Sequence, residues 1–284
     1  MRTGSRLAAD IGGTFTDVAY FDAGTGNLSL GKSLSTPDHL VEGIASGVGQ
    51  ADTRFEDAEI FLHGSTVAIN ALLERKGART ALLITEGFRD IYEIGRINRP
   101  DAYNLFFSKH VPLVERALRF EVAERMTADG TVHAALDEAQ VHRICDDLVA
   151  RGVEAVAILL LHCYANPAHE ARVKAIVQSR LPQAFVTASH ELSQEYREFE
   201  RCSTAVANAY VGPAVSRYIG EIEGHLDAQG FAGSFLLVQS TGGLYVPDQA
   251  RQQCVRMLES GPAAGVVGTH ALCARLGIAN AVAF

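Results

Sequence analysis

Two carboxylates bracket a run of small residues near the start of the chain, in Asp10-Ile11-Gly12-Gly13-Thr14-Phe15-Thr16-Asp17. The apolar residues Leu7-Ala8-Ala9 lead into this run, and the alternating segment Val18 to Phe21 follows it. A strand that ends on Asp-x-Gly-Gly-Thr and turns at once into a second strand makes a hairpin with few side chains at its tip, where backbone N–H groups face an anion. Phosphate suits such a tip. It is not a P-loop, because no Gly-Lys-Ser/Thr follows and no helix opens on the glycines. An ordinary tight turn has the same composition, so the run alone leaves both readings open.

His63-Gly64-Ser65-Thr66 falls at a strand-to-helix junction, where N–H groups and the helix dipole favour an anion or oxyanion. Ser65 fits equally well as a helix cap, whereas His63 stands near the carboxyl end of its strand, where open α/β sheets bind ligands. Asn70 lies one helical turn after Thr66 and could reach the same crevice. Arg96, Asn98 and Arg99 enter a long loop, as an anion site or as a solvated face. His190-Glu191 and Glu195 to Arg201 hold enough carboxylates for acid/base work, but charges at helical spacing more often pair with each other on a surface. The turns Thr241-Gly242-Gly243 and Ser260-Gly261-Pro262 are weak signals singly. The histidines show no zinc-ligand spacing, and no cysteine has the electropositive setting of a nucleophile.

The elements that position these residues alternate in the manner of an α/β layer fold. The opening hairpin is followed by a third strand at Leu28 to Leu30, and Thr36-Pro37-Asp38 caps a helix carrying Leu40, Ile44 and Val48 on one face. A strand at Ile60 to Leu62 runs into a helix through Ala68, Leu72 and Leu73, which Gly77 closes in a left-handed cap. Thr80 to Ile84 is a strand and Phe88 to Ile94 a helix, and periodicity is then lost from Asn98 to Val114. Phe120 to Val132 reads as a hairpin turning at Asp129-Gly130, and Asp137 to Arg151 as an amphipathic helix. The unbroken apolar run Val156 to Leu161 is a parallel strand covered on both faces. A helix from Pro167 to Leu181 and a strand at Phe185 to Thr187 follow. Ser193 to Leu226 is the longest helical stretch, with a break expected at Gly212-Pro213. A strand at Phe235 to Val238, a helix ending at Leu276 and a terminal strand at Ala281 to Phe284 complete the chain. The division falls near residues 190 to 200, giving domains 1–192 and 193–284.

The 284 residues are 48% hydrophobic and 20% charged, enough for a sizeable core. A net charge of -8 without a Lys/Arg cluster argues against a nucleic-acid surface. No apolar run approaches a membrane span, and the first residues lack a signal-peptide core. The five cysteines stand singly, as reduced buried thiols of a cytoplasmic protein.

Laid in order, these segments resemble the A-type subunit of the hydantoinase/oxoprolinase family, which includes acetone carboxylase and caprolactamase subunits. The resemblance spans nearly the whole chain. It is carried by Asp10 to Asp17, His63 to Gly77, Gly87-Phe88-Arg89-Asp90, Glu195 to Arg201, Gln239-Ser240-Thr241-Gly242-Gly243-Leu244 and Ser260 to Gly265. It implies the actin-like fold of the sugar kinase and heat-shock ATPase superfamily, with this chain holding the first half and the start of the second. ATP and Mg²⁺ are the implied cofactors: Asp10 faces the metal, and Gly12, Gly13, Thr14, Phe15 and Thr16 wrap the phosphates. His63 is the implied substrate-side contact, and Asp17 is either catalytic or a brace for the hairpin. The implied activity is ATP-dependent ring opening of a cyclic amide such as a hydantoin, 5-oxoproline or a lactam, beside a B-type subunit or domain. Ketone carboxylation, a non-catalytic assembly module and a small-molecule kinase are the alternatives, and homo-oligomerisation stays open. Family members continue beyond the strand matching Ala281 to Phe284 into a second phosphate loop and an adenosine-binding part, so the isolated chain is expected to bind ATP weakly.

Overall fold

The computed structural model describes residues 4–36, 40–97 and 101–283. The chain opens with strands β1 (Arg6–Ile11), β2 (Phe15–Asp22) and β3 (Asn27–Leu34), helix α1 (Leu40–Gln50), strand β4 (Ile60–Ser65) and helix α2 (Val67–Leu73). It continues through β5 (Thr80–Thr85), α3 (Ile91–Ile94), β6 (Arg119–Val122), β7 (Arg125–Met126), β8 (Val132–Ala134), α4 (Glu138–Ala150), β9 (Ala155–Leu159), α5 (Ala168–Arg180) and β10 (Phe185–Ala188). Helix α6 (Glu198–Ala228), strands β11 (Ser234–Val238) and β12 (Leu244–Tyr245), and helices α7 (Pro247–Gln252) and α8 (Ser260–Leu276) follow. These form an α/β protein of two compact units, residues 1–74 with 214–284, and residues 75–213. The units therefore interleave along the chain, a different partition from the serial division at 192/193.

The first unit holds a mixed six-stranded sheet in the order β12-β11-β4-β1-β2-β3. β1 to β3 form an antiparallel meander, as the apolar stretches around Gly12-Gly13 require, while β4 and β11 join it in parallel. On β1, Leu7, Ala9 and Ile11 are buried while Asp10 is exposed, so the two-residue period of the strand separates core from cleft. The second unit holds an all-parallel sheet in the order β10-β9-β5-β6, and every residue of β5 and β9 is buried, as expected of strands covered on both faces. α4 starts on the Asp137 cap, whose carboxylate accepts the Gln140 N–H at 2.9 Å, and presents Val141, Ile144, Cys145 and Leu148 to this core.

Several local expectations are corrected. α6 runs through Pro213 without a break. An interior proline costs about 3 kcal/mol, but Val206, Val211, Val215 and Ile219 around it are all fully buried, at about 1.5 to 3 kcal/mol each. Gly77 is not the left-handed cap; Arg75 takes that conformation, at φ 57°. Gly77 is small for another reason, since a Cβ there would overlap the ring of Tyr210. The expected hairpin at Phe120 to Val132 is confined to β7 and β8, because β6 pairs in parallel with β5. The helix expected at Phe88 to Ile94 is the single turn α3, and Ser260-Gly261-Pro262 opens α8 rather than forming a turn. Ala281 to Ala283 are not strand, and Phe284 lies outside the described residues, as do Pro37 and Asp38 of the expected first cap.

Gly77→Ala should lower the stability of the chain by about 1 to 3 kcal/mol, the range for overpacking a filled site. Urea unfolding followed by circular dichroism measures it.

Candidate functional site

The register of the first sheet decides what meets at the end of β1. Asp10 pairs with Asp17 across the antiparallel β1–β2 ladder and with Gly64 across the parallel β1–β4 ladder, and Asp17 pairs in turn with Lys32 on β3. These residues share one face of the sheet. They line a cleft of about 610 Å³ together with Ala8, Leu62, Gly261 and Ala264, the last two from the first turns of α8. Gly64 leaves the Asp10 carboxylate in its present position, since a Cβ there would sit 2.8 Å from Asp10 Oδ1 and push it aside. Gly261 faces Asp10 less tightly: a Cβ there would lie in ordinary contact, 3.7 Å from both Asp10 oxygens. Ser260 ties the start of α8 to β4, its Oγ donating to the Ser65 carbonyl at 3.1 Å and accepting the Ser65 N–H at 3.3 Å. Asp10 thus opens toward the amino end of a 17-residue helix.

Desolvation by the cleft walls, and secondarily the charge of Asp17, hold the Asp10 carboxyl above its ordinary range although the residue keeps an edge open to solvent. Asp17 is partly compensated by Lys32 Nζ at 2.7 Å, although both side chains are more than half exposed and such a pair stabilises little. Two facing carboxylates, one destabilised as an anion, form the donor set of a hard divalent cation, and Mg²⁺ is commonly held by one or two carboxylates with phosphates completing its shell. Asp10 and Asp17 fit that role. Among the described residues no group of three or more His, Cys, Asp or Glu forms a denser metal cluster.

The hairpin tip is pinned from beneath. Gly12 N–H donates to the Phe15 carbonyl at 2.9 Å, Ser35 Oγ donates to the Gly12 carbonyl at 2.8 Å, and Ser35 N–H donates to the Thr14 carbonyl at 2.9 Å. The N–H groups of Gly13 and Thr14 have no such engagement among the described residues, and nothing lies within 4 Å of where a Gly13 Cβ would be. The cradle therefore narrows to these two N–H groups. Phe15 lies under Lys32 Nζ, 4.8 Å from its ring centre. Thr16 is fully buried on the other face with its Oγ1 3.3 Å from Ser35 Oγ, so its side chain does not reach a ligand.

His63 is likewise on the wrong face. It is fully buried, with Nδ1 3.0 Å from the Ala9 carbonyl and Nε2 2.5 Å from the Tyr218 hydroxyl. A carbonyl only accepts, so Nδ1 carries the proton and Nε2 accepts from Tyr218. Desolvation lowers its pKa to about 4, against the weaker opposing pull of the Ala9 carbonyl. A neutral, saturated imidazole that solvent cannot reach makes no substrate contact; it locks β1 and β4 to α6. Asn70 does not enter the cleft either, because its Nδ2 donates to Thr66 Oγ1 at 3.2 Å, which itself donates to the Ile11 carbonyl. Arg96 is taken up by a two-pronged pair with Glu200, and Asn98 and Arg99 lie outside the described residues. The cleft residues missed in the sequence were Lys32, Gly64 and Gly261. The spacing of Gly261, Ala264 and Gly265 at i, i+3 and i+4 was the available signal for a helix face built for close approach.

The site is thus a cleft on a mixed sheet of an α/β protein, with two aspartates beside a helix start. The chain belongs to the hydantoinase/oxoprolinase family: residues 6–181 match its N-terminal region and residues 201–284 match the hydantoinase/oxoprolinase region that follows. It is 36% identical to the caprolactamase alpha subunit of Pseudomonas jessenii over 98% of this chain and 41% of that one. The crystal structure of that ATP-dependent caprolactamase superposes with a TM-score of 0.85, at 35% identity over 96% of this chain and 41% of its own. A nucleotide-free acetone carboxylase superposes with a TM-score of 0.86, at 28% identity and the same coverage. The chain thus spans about two fifths of the length of these relatives. Among the described residues no helix is long and apolar enough to cross a membrane.

Two outcomes follow from the titrating groups. His63 is depressed from 6.5 to about 4, so its contribution to stability is complete above pH 6.5 and is lost as pH falls toward 4, on the order of 3 kcal/mol in all. Urea unfolding at a series of pH values should show this slope, and His63→Asn should flatten it while lowering stability at pH 8. Asp17→Asn should bring the Asp10 pKa down part of the way, leaving the larger share due to burial, as carboxyl carbon NMR titration would show.

Proposed function

We propose that a polypeptide carrying this chain is an ATP-dependent activating subunit of the hydantoinase/oxoprolinase type, opening a cyclic amide beside a B-type subunit or domain. The observation that carries this reading is the Asp10–Asp17 pair, facing a glycine-lined cleft at the start of a helix, in a chain whose relatives include an ATP-dependent lactamase. The fold is read as the first part of an actin-like ATPase. An amide carbonyl is a poor electrophile, and transfer of the γ-phosphoryl group of ATP to its oxygen, releasing ADP, makes that oxygen a leaving group. Asp10 and Asp17 would hold Mg²⁺, which when bound supplies charge neutralisation to the phosphates.

The protein's own groups have distinct tasks in this reading. Asp10 presents a carboxylate to the cleft, and Gly64 leaves it room. Gly13 and Thr14 offer backbone N–H groups to a phosphate. Lys32 draws Asp17 toward β3 and keeps the two carboxylates from a bare like-charge contact. His63 acts at one remove, by holding β1 in register with β4. A cytoplasmic location accords with four buried thiols, of which Cys163, Cys202 and Cys254 are pushed up to about 12 by burial.

The likeness to acetone carboxylase favours a second reading, ATP-dependent carboxylation of a ketone, and the substrate screen separates the two. ADP release by the polypeptide with its B-type partner should depend on one of a panel of hydantoins, 5-oxoproline, lactams and ketones. Asp10→Asn should lower that turnover about 100-fold or more, the scale for removing a preorganised charge-stabilising group. Turnover unchanged in that variant would sink the assignment, and a ketone with bicarbonate as sole active substrate would select the carboxylase reading.

A further inference from the structure

Among the described residues, the second unit carries its most exposed apolar side chains on one loop, between α3 and β6. Tyr103, Leu105 and Phe106 are 96%, 91% and 94% exposed, and Ile94, Ile97 and Val111 on the limbs of the loop are each more than half exposed. Single apolar residues on a surface need no explanation, but a group of this size marks an interaction site.

The tip of the loop is held in shape by its own hydrogen bonds. Asp101 to Phe107 makes two successive turns that share Asn104, whose N–H donates to the Asp101 carbonyl at 3.4 Å and whose carbonyl accepts the Phe107 N–H at 3.2 Å. Asn104 Oδ1 also accepts the Phe106 N–H at 2.9 Å, an arrangement that makes asparagine a turn former. The returning limb is anchored: Arg75 Nη2 donates to the Val111 carbonyl at 2.8 Å, and Leu113 N–H donates to the Tyr92 hydroxyl at 3.3 Å, before Val114 enters the core. Local bonds therefore set the backbone of the tip, while its three large side chains stand nearly clear of the rest of the described chain.

Charge decides what kind of surface covers them. Residues 97–111 carry Arg99, Lys109 and His110 against one carboxylate, Asp101, in a chain of net charge -8. Among the described residues neither Lys109 nor His110 has a carboxylate within ion-pair distance. A second copy of the loop would set like charges against each other. A bilayer would take in the rings but leave Asp101 unpaired beside them, and an anionic bilayer would repel the chain as a whole. A different polypeptide with an apolar hollow rimmed by carboxylates meets both halves of the pattern. The two nearly bare rings alone offer about 300 to 500 Å², and with the four aliphatic side chains the patch approaches the ~800 Å² that one partner contributes to a stable complex.

We propose that the tip from Tyr103 to Phe106 docks into an apolar, carboxylate-rimmed hollow on the B-type partner. This docking rests on the functional reading above for the identity of its partner, and no residue of the Asp10–Asp17 cleft takes part in it.

The test is a calorimetric titration of the polypeptide carrying this chain with its B-type partner, each purified alone. Leu105→Ser combined with Phe106→Ser should raise the dissociation constant about 100-fold or more, the scale for removing two buried anchor side chains. The thermal midpoint of the free polypeptide should not move, because these side chains are almost wholly exposed in it. Lys109→Glu should raise the dissociation constant about tenfold at low salt, with the difference shrinking in about 0.5 M NaCl. Asp10→Asn should bind the partner as the parent does. An affinity unchanged in the serine pair or in Lys109→Glu overturns the proposal. So does self-association of the polypeptide, or its sedimentation with phosphatidylserine vesicles, that the serine pair abolishes. A polypeptide that turns over substrate without binding a B-type partner also overturns the docking but leaves the activating role standing, whereas full turnover in Asp10→Asn sinks that role and leaves the docking intact.

Discussion

The first unit depends on the pleat of β1 and its neighbours, because a two-residue period assigns every side chain to the core or to the cleft with no intermediate position. Asp10, Asp17, Lys32 and Gly64 fall in register on one face, while Ala9, Thr16, His63 and Ser33 fall on the other. A slip of one residue would bury two carboxylates and expose the His63 contact with Tyr218. The hairpin pins, Gly12 N–H to Phe15 and Ser35 Oγ to Gly12, hold this register at the tip, and the His63 hydrogen bonds hold it from inside the sheet.

Bringing two carboxylates together at the end of a strand is unfavourable unless something offsets it. Lys32 and the start of α8 do so in part, through charge and through the helix dipole. Asp10 still holds its proton more tightly than free aspartate does, first through desolvation and second through the charge of Asp17. In the proposed role, a cation bound there would relieve a repulsion that folding has already imposed, and less of the binding energy would be spent on assembling the ligands. Gly64 contributes by leaving the Asp10 carboxylate unobstructed.

Much of this was legible in the residues. The Gly12-Gly13 hairpin and the buried strand at Val156 stand where local pattern put them, since turn chemistry and unbroken apolar runs act over a few residues. The errors have a common cause in long-range packing. Gly77 and Gly212 looked like backbone devices but are small because Tyr210 and Phe185 press against them. The helix break at Pro213 is overridden by burial on both sides of it. His63 was read by its place near a strand end, whereas its face, one residue out of phase with Gly64, decides its role. That phase was readable once Asp10 was set opposite Gly64, but the pairing joins residues 54 apart and no local signal announces it.

His63 and Arg201 show how the same burial leads to different consequences. An imidazole can shed its proton, and once neutral it needs only a donor and an acceptor, which Tyr218 and the Ala9 carbonyl provide. Its site is closed and complete. A guanidinium has no neutral form within reach, so burial leaves its charge to be met by other groups. Around Arg201 those groups are a protonated thiol, a distant carbonyl and the face of Tyr164, and Nε is without a partner among the described residues. The chemistry that makes His63 a structural residue is the chemistry Arg201 lacks, so Arg201 keeps its charge inside the second unit and spreads it over a thiol, a carbonyl and an aromatic face.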